Sequence, residues 1–246
     1  MLKFELKKAV VPNKWRNYYL GLVAIGTTLA TIYTLLVPAA GNRDLADLNL
    51  PQQIELGSGK LVATPNYSGS FDFSQPQPSR SEITEEERER EIIKTDLKYQ
   101  YFQSNSKIDL ELGYLVNTRG DVDSYLQQYT DISSKAIENK KIVHIDTVGY
   151  HALFQDRDRA YLSSCISPRS PSNVTQQQFS SYRYQNDLNL QIGWQWLQGK
   201  ASIRDRRCLW VHLSTPLNLD SQTAYKTLET AWREIYSWLL PNFPAL

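Results

Sequence analysis

The sequence is poor in the residues on which metal centres and disulfide-rich scaffolds depend. Its 246 residues include two cysteines, three histidines and one methionine. Two cysteines exclude a disulfide scaffold and leave room for one bridge. His144, His151 and His212 have neither helical ligand spacing nor neighbouring paired cysteines, and no glycine-rich phosphate loop occurs. The sequence therefore predicts no metal site and no cofactor.

The chain also lacks a large net charge. Its formal charge at pH 7 is +1, so no overall field draws it to nucleic acid. Aromatic residues, by contrast, are abundant: there are fifteen tyrosines and six tryptophans. Because these side chains favour strands and interfaces, we expect a folded domain that binds partners other than nucleic acid.

Charged residues are absent from Tyr18 to Ala40. This stretch is long enough for a helix to cross a hydrocarbon layer of about 30 Å. Arg43 follows it closely, whereas five basic residues precede it: Lys3, Lys7, Lys8, Lys14 and Arg16. Cytoplasmic flanks carry such an excess of lysine and arginine. We therefore predict a cytoplasmic N-terminus over 1–17, a transmembrane helix over 18–40 and a periplasmic, extracytoplasmic remainder.

A cleaved signal peptide is the alternative interpretation of this stretch. The segment from Val37 to Ala40 resembles a small-residue cleavage site. The apolar run is longer than a signal-peptide core of about 7–15 residues, which favours a retained anchor. Either interpretation exports the rest of the chain.

The segment after the apolar run has the composition of a linker. Residues 41–80 are rich in Gln, Ser, Asn, Gly and Pro and show no sustained periodicity, which predicts an extended, flexible tether. The exported domain then occupies 81–246. It opens with Thr84 and Glu87, which have the spacing of a capping box at the start of a helix.

The exported domain combines strand and helix patterns. Alternation predicts strands around Leu97–Tyr101 and Ile108–Val116, and a buried strand is expected over Arg207–Leu213. A hairpin is expected from Lys141–Phe154, with a bulge near Gly149, and Ala160–Ile166.

Helices are expected between and after these strands. They cover Val122–Tyr129, a segment containing Phe179 and Tyr182, a Trp-bearing stretch near Leu190–Leu197, and a long final helix capped at Asp220 or Ser221. The predicted fold class is α+β: a mainly antiparallel sheet with packed helices, preceded by one N-terminal transmembrane helix.

Cys165 and Cys208 lie in different predicted strands, and three states are open to them. Oxidation is the default for two exported thiols, and a bridge closing about 43 residues would contribute roughly 4 kcal/mol. Two unpaired structural thiols are the second possibility. The third is a catalytic thiol, because Cys208 and His212 share a strand face near several arginines. Cys208 and His212 are about 13 Å apart on such a strand, so only Cys165 could contact His212 directly.

Three segments of the C-terminal half carry a family resemblance. They are SSCISPRSPSNVTQQQF (163–179), GWQWLQGK (193–200) and RDRRCLWVHLSTPL (204–217). With the N-terminal anchor, they resemble the cyanoexosortase A system-associated proteins. The resemblance implies an accessory protein of an exosortase, a membrane enzyme that processes exported proteins carrying a C-terminal sorting signal.

The resemblance brings no catalytic residues with it. It implies that the outer domain binds the enzyme, its sorted substrates or a glycan. The candidate contact residues are the side chains Trp194, Trp196, Arg204, Arg206, Arg207 and His212. Trp210 is considered with them and is better explained as a core residue.

Three functions are compatible with these observations. The preferred one is a non-catalytic accessory protein of the sorting machinery, and the alternative is a membrane-anchored thiol peptidase or transpeptidase acting on exported proteins. An envelope-assembly or glycan-binding protein without a sorting role is the third. The state of the two cysteines discriminates between the first two.

Overall fold

The computed structural model describes residues 13–36, 46, 48–64, 92–103, 106–187, 189–197, 201–202, 204–217 and 220–244. The chain forms two compact units, Met1–Asp44 and Leu45–Leu246. The predicted capping box of Thr84 and Glu87 lies outside the described residues.

The first unit contains one helix, α1 (Asn13–Leu36). The hydroxyls of Thr27 and Thr28 donate to carbonyls one turn earlier, at 3.0 and 2.8 Å. Such back-bonding satisfies a hydroxyl without water. Among the described residues, no helix has both the length and the apolar character expected of a membrane span. The predicted transmembrane helix over 18–40 is thus not supported there, and 37–40 lie outside the described residues.

The second unit is built on one sheet. Its described strands are β1 (Gln53–Glu55), β2 (Lys60–Ala63), β3 (Ile92–Gln103), β4 (Ser106–Val116), β5 (Lys141–Ile145), β6 (Gly149–Asp156), β7 (Arg159–Ser167), β8 (Ser170–Asn173) and β9 (Cys208–Pro216). The order is β1-β2-β3-β4-β9-β7-β8-β6-β5, and β7 also pairs with β6. The pairing of β6 with β8 is parallel, and the other pairings are antiparallel. The predicted α+β class with a mainly antiparallel sheet is confirmed.

Five helices of this unit are described: α2 (Val122–Tyr129), α3 (Ser134–Glu138), α4 (Gln176–Asn186), α5 (Leu190–Leu197) and α6 (Ser221–Leu239). Helix α6 begins where the sequence predicts, because the Asp220 carboxylate accepts from the backbone N–H groups of Gln222 and Thr223.

Helix α6 covers one face of the sheet. Its apolar stripe includes Leu228, Trp232 and Ile235, all fully buried. This stripe belongs to the same core as Leu112 of β4 and Leu213 of β9. Successive side chains of a strand point to opposite faces of the sheet. The strand residues that alternate with this core therefore lie on the second face.

A separate core lies on the opposite face. It joins Leu126 of α2 and Ile137 of α3 to Trp210 of β9 and to both cysteines. This second core occupies the end of the face near Leu115, the β4 residue that pairs with Cys208. The other end of the face carries polar side chains.

Two sequence-based predictions need correction. Strands β1 and β2 lie within the predicted linker 41–80: Leu61 pairs with Tyr101 and is buried. Strands this short carry almost no periodicity, and pairing orders them: β2 pairs with β3, and β1 pairs with β2. Second, Lys141–Phe154 was predicted as one strand with a bulge near Gly149, but it contains a hairpin of β5 and β6. Gly149, at φ +109°, follows the turn between these two strands.

Candidate functional site

The two cysteines lie on adjacent strands. Cys165 of β7 pairs in register with Trp210, two residues beyond Cys208 on β9, so the two side chains are diagonal neighbours on one face. Their Cα atoms are 5.7 Å apart and the sulfurs form a disulfide. Both residues are fully buried. The predicted bridge is present, and the thiol-enzyme hypothesis has no nucleophilic cysteine in this state.

The same register explains Trp210 and His212. Both lie on the face that carries the disulfide, as the alternation predicts. Trp210 is fully buried and its Nε1 donates to Ser163 Oγ at 2.8 Å, so it is a core residue. His212 is only 5% exposed. Its prediction as a surface contact is therefore corrected: it belongs to the wall of a cleft, because β9 is a central strand.

Arg207 is a structural residue rather than a contact residue. It is 6% exposed, and its guanidinium makes two bonds to Asp205, Nε to Oδ1 at 2.8 Å and Nη2 to Oδ2 at 2.7 Å. Its Nη1 donates to the Pro244 carbonyl at 2.6 Å. A buried guanidinium needs such saturation because desolvation is otherwise costly. The prediction of Arg207 as a partner contact is corrected, and the predicted local ion pair with Asp205 is present.

Arg204 and Arg206 are exposed and line a groove of about 490 Å³. We call this the arginine groove, formed by Arg119, Arg183, Tyr184, Asp187, Arg204 and Arg206 with their neighbours. The turn before α2 and the segment before β9 are joined there by the Thr118 N–H, which donates to the Arg206 carbonyl at 3.0 Å. The groove thus collects arginines from three separate parts of the chain.

Asp187, the carboxylate of this groove, is already engaged. It is 4% exposed, lies 3.0 Å from Arg169 Nη1 and 3.5 Å from Arg183 Nε, and accepts from the Asp205 N–H. Burial lowers the pKa of the Arg183 guanidinium; Asp187 opposes this effect, and Arg206 and Arg204 add to it. Arginines this crowded favour an anionic ligand between them.

Large apolar side chains are exposed on α4 and on the helix that follows it. Tyr184, which lines the groove, is 70% exposed, and α5 presents Leu190, Trp194 and Trp196 at 95%, 64% and 46%. We call these four residues the aromatic ridge. Asn189 fixes the start of α5, since its Oδ1 accepts from the Ile192 N–H at 2.8 Å. Both predicted tryptophans are therefore exposed, as a contact surface requires.

A second cavity lies at the polar end of the face that carries the disulfide. We call it the polar cleft; it has a volume of about 450 Å³ and is lined by Lys98, Asp109, Glu111, Arg159, Tyr161 and His212 with their neighbours. Lys98, Glu111 and His212 occupy one row across β3, β4 and β9, and Asp109, Ser214 and Tyr161 occupy the next row across β4, β9 and β7.

Two close ion pairs lie within the polar cleft. Lys98 Nζ lies 2.6 Å from Glu111 Oε1, and Arg159 Nη2 lies 2.6 Å from Asp109 Oδ2. Arg159 also donates to Ser214 Oγ at 2.7 Å. Among the residues that the structure describes, no group of His, Cys, Asp and Glu has the arrangement of a metal site.

Two of the groove arginines, Arg204 and Arg206, were predicted from the sequence as contact residues, whereas Arg119 and Arg183 were not. The polar cleft was not predicted either, although one signal was present: Asp109 and Glu111 alternate with apolar residues on β4. Alternation shows that they leave the α6 core; it does not show that lysine and arginine from other strands meet them. Comparison of the chain with protein-family models, curated proteins and solved structures finds no match.

Proposed function

We propose that this protein is a membrane-anchored, non-catalytic accessory protein of a cyanobacterial exosortase, with an extracytoplasmic domain that binds a protein partner. The observation that carries the binding role is the exposure of the aromatic ridge, whose Tyr184 also lines the arginine groove. Tryptophan, tyrosine and arginine are the residue types that dominate binding energy at protein interfaces. The link to an exosortase rests on the family resemblance of 163–179, 193–200 and 204–217.

Sequence features support the anchor. The run from Tyr18 to Ala40 has no charged residue and continues past the end of α1 at Leu36. Five basic residues precede the run, an asymmetry typical of a cytoplasmic N-terminus. In α1 the threonine hydroxyls bond to backbone carbonyls, which is the arrangement that polar side chains need in lipid.

The disulfide supports export of the domain. Bridges between buried cysteines persist in oxidising compartments and are rare in the cytosol. The same bond disfavours the thiol peptidase alternative, because both cysteine sulfurs form the disulfide and neither is a thiol. A binding role needs no nucleophile and is compatible with the bridge.

The chemistry of the surface defines the partner. Four arginines against one engaged carboxylate give the groove a net positive charge. The ridge exposes large apolar side chains that gain most from being covered. A partner segment that carries carboxylates followed by apolar residues satisfies both surfaces, and we propose that this segment belongs to the exosortase.

Co-purification tests this proposal. An epitope-tagged exosortase is recovered from detergent-solubilised membranes, and the co-purified full-length chain is quantified. We expect the double variant Arg204→Glu/Arg206→Glu, and separately Trp194→Ala, to reduce recovery about tenfold or more, because each removes part of the contact surface.

Matched controls change equally exposed residues elsewhere. Lys135→Glu/Lys226→Glu reverses two exposed charges, and Phe102→Ala removes an aromatic side chain that is 44% exposed. Both should leave recovery unchanged. Equal losses from the control and test variants would contradict the assigned surface, and failure of the unchanged chain to co-purify with the enzyme would exclude the exosortase as its partner.

A further inference from the structure

The polar cleft is separate from the arginine groove and has the features of a small-ligand site. It is formed by side chains from the central strands β3, β4, β7 and β9, by Asp156 at the end of β6, and by the end of α2 with the segment that follows it. Its volume of about 450 Å³ falls in the range of small-molecule sites.

The two central cations of the cleft are paired with carboxylates. Lys98 lies 2.6 Å from a carboxylate oxygen of Glu111, and Arg159 lies 2.6 Å from one of Asp109. Asp131, Asp156 and Arg157 also line the cleft. An anionic ligand would have to break one of the two central pairs to reach Lys98 or Arg159. A neutral ligand keeps both pairs, since each carboxylate retains lone pairs that can accept further hydrogen bonds.

His212 contributes a buried imidazole to the wall of the cleft. The residue is 5% exposed and lines the cleft, and its Nδ1 is a buried atom without a hydrogen-bond partner in the described structure. Burial lowers its pKa to about 4, so the imidazole is neutral near pH 7. A neutral imidazole adds no charge to the wall of the cleft, and it has one donor nitrogen and one acceptor nitrogen.

Aromatic rings complete the wall. The Tyr161 and His212 rings stack with centroids 5.3 Å apart, and Tyr129 also lines the cleft. The paired charges supply hydrogen-bond donors and acceptors, and the aromatic rings supply an apolar surface. This combination suits a ligand that has many hydroxyl groups and apolar C–H faces. We propose that the polar cleft binds a neutral saccharide unit. This proposal does not rest on partner binding by the arginine groove.

Saccharide binding is tested on the full-length chain in detergent at pH 7. The probes are immobilised neutral oligosaccharides of glucose, galactose and mannose, compared with oligosaccharides of uronic acids. We expect binding to one or more neutral probes. Glu111→Gln and Ser214→Ala should each weaken that binding about tenfold, because each alters a polar contact in the cleft.

The control variant is Asp146→Asn, which changes a carboxylate whose side chain is fully exposed and outside the cleft. The control variant should bind the neutral probes as the unchanged protein does. If Glu111→Gln fails to fold, Ser214→Ala still tests the proposal. Three results would overturn the proposal: no neutral probe binds at millimolar concentration, the folded cleft variants bind normally, or only uronic-acid probes bind. Loss of exosortase recovery in the groove variants is a separate readout, so the two proposals can fail independently.

Discussion

Asp96, whose carboxylate oxygens are buried, and the buried His212 lie on the cleft face and respond to pH in opposite directions. Burial, and then the negative charge of Glu111, raises the pKa of Asp96 to about 7. Burial lowers the pKa of His212 to about 4. Asp96 therefore favours folding at low pH, and this contribution is lost as pH rises from about 4 through 7. His212 favours folding above pH 6.5, and its contribution falls as pH drops towards 4.

The variant Asp96→Asn separates these effects. An amide has no charge to desolvate, so we expect a higher melting temperature than the unchanged protein at pH 8 and little difference at pH 4. The measurement is thermal unfolding of the full chain, followed by tryptophan fluorescence, at both pH values.

Asp146→Asn is the control for this measurement, because its carboxylate is fully exposed. It should leave the melting temperature nearly unchanged at either pH. An Asp96→Asn effect of equal size at pH 4 and pH 8 would show that charge at this position is not responsible.

At the scale of elements, α4 supports the arginine groove. Its first turn is closed by a capping box in which Thr175 Oγ1 accepts from the Gln178 N–H and the Gln178 side chain accepts from the Thr175 N–H. The helix then holds Arg183 in the groove and buries Phe179. The cap is therefore expected to affect both stability and partner binding.

Replacing Thr175 with alanine removes one half of this box. We expect a loss of about 1 kcal/mol in the free energy of unfolding, measured by urea titration of the full chain. Thr175→Ser keeps the hydroxyl and should lose only a small part of it. If both variants are equally unstable, the hydroxyl is not the source of the stabilisation.

Helices and strands were predicted correctly where the periodic sequence pattern extends over many consecutive residues. The final helix has a stripe over many turns and a carboxylate cap, and α6 matches it from its first residue. Prediction failed at β1, β2 and the division between β5 and β6, because strands of three to five residues contain too few positions to show a period. Their identity depends on neighbours: Leu61 is ordered by Tyr101, which lies far away in sequence.

At the scale of the whole molecule, membrane anchoring makes a direct prediction. We expect the full-length protein to stay with the membrane pellet after an alkaline wash and to have the intact mass of 28.3 kDa. Ile25→Lys should release a large fraction of it, because a charge within the apolar run costs about 2.5–3.5 kcal/mol in a bilayer.

Leu190→Lys is the control, since it places the same charge on a side chain of the second unit that is already 95% exposed. It should leave the protein in the pellet. A soluble product shorter than the full chain would instead indicate a cleaved signal peptide, and equal release of both variants would argue against anchoring by this run.

Features that depend on near neighbours in the chain were predictable from the sequence. Alternation gave the faces of β4 and β9, a carboxylate gave the start of α6, and the two cysteines on separate strands gave the bridge as the default. It also identified Trp194 and Trp196 as candidate contacts, and both proved exposed.

Which of these residues contact one another depends on the tertiary structure. Sheet register places Lys98 beside Glu111, Glu111 beside His212, and Cys165 within 5.7 Å of Cys208, measured between Cα atoms. Each pairing joins residues far apart in the chain, and a shift of one residue would send every side chain to the other face. Local pattern carries no information about that register. The polar cleft, the arginine groove and the burial of Arg207 are therefore properties of the folded molecule.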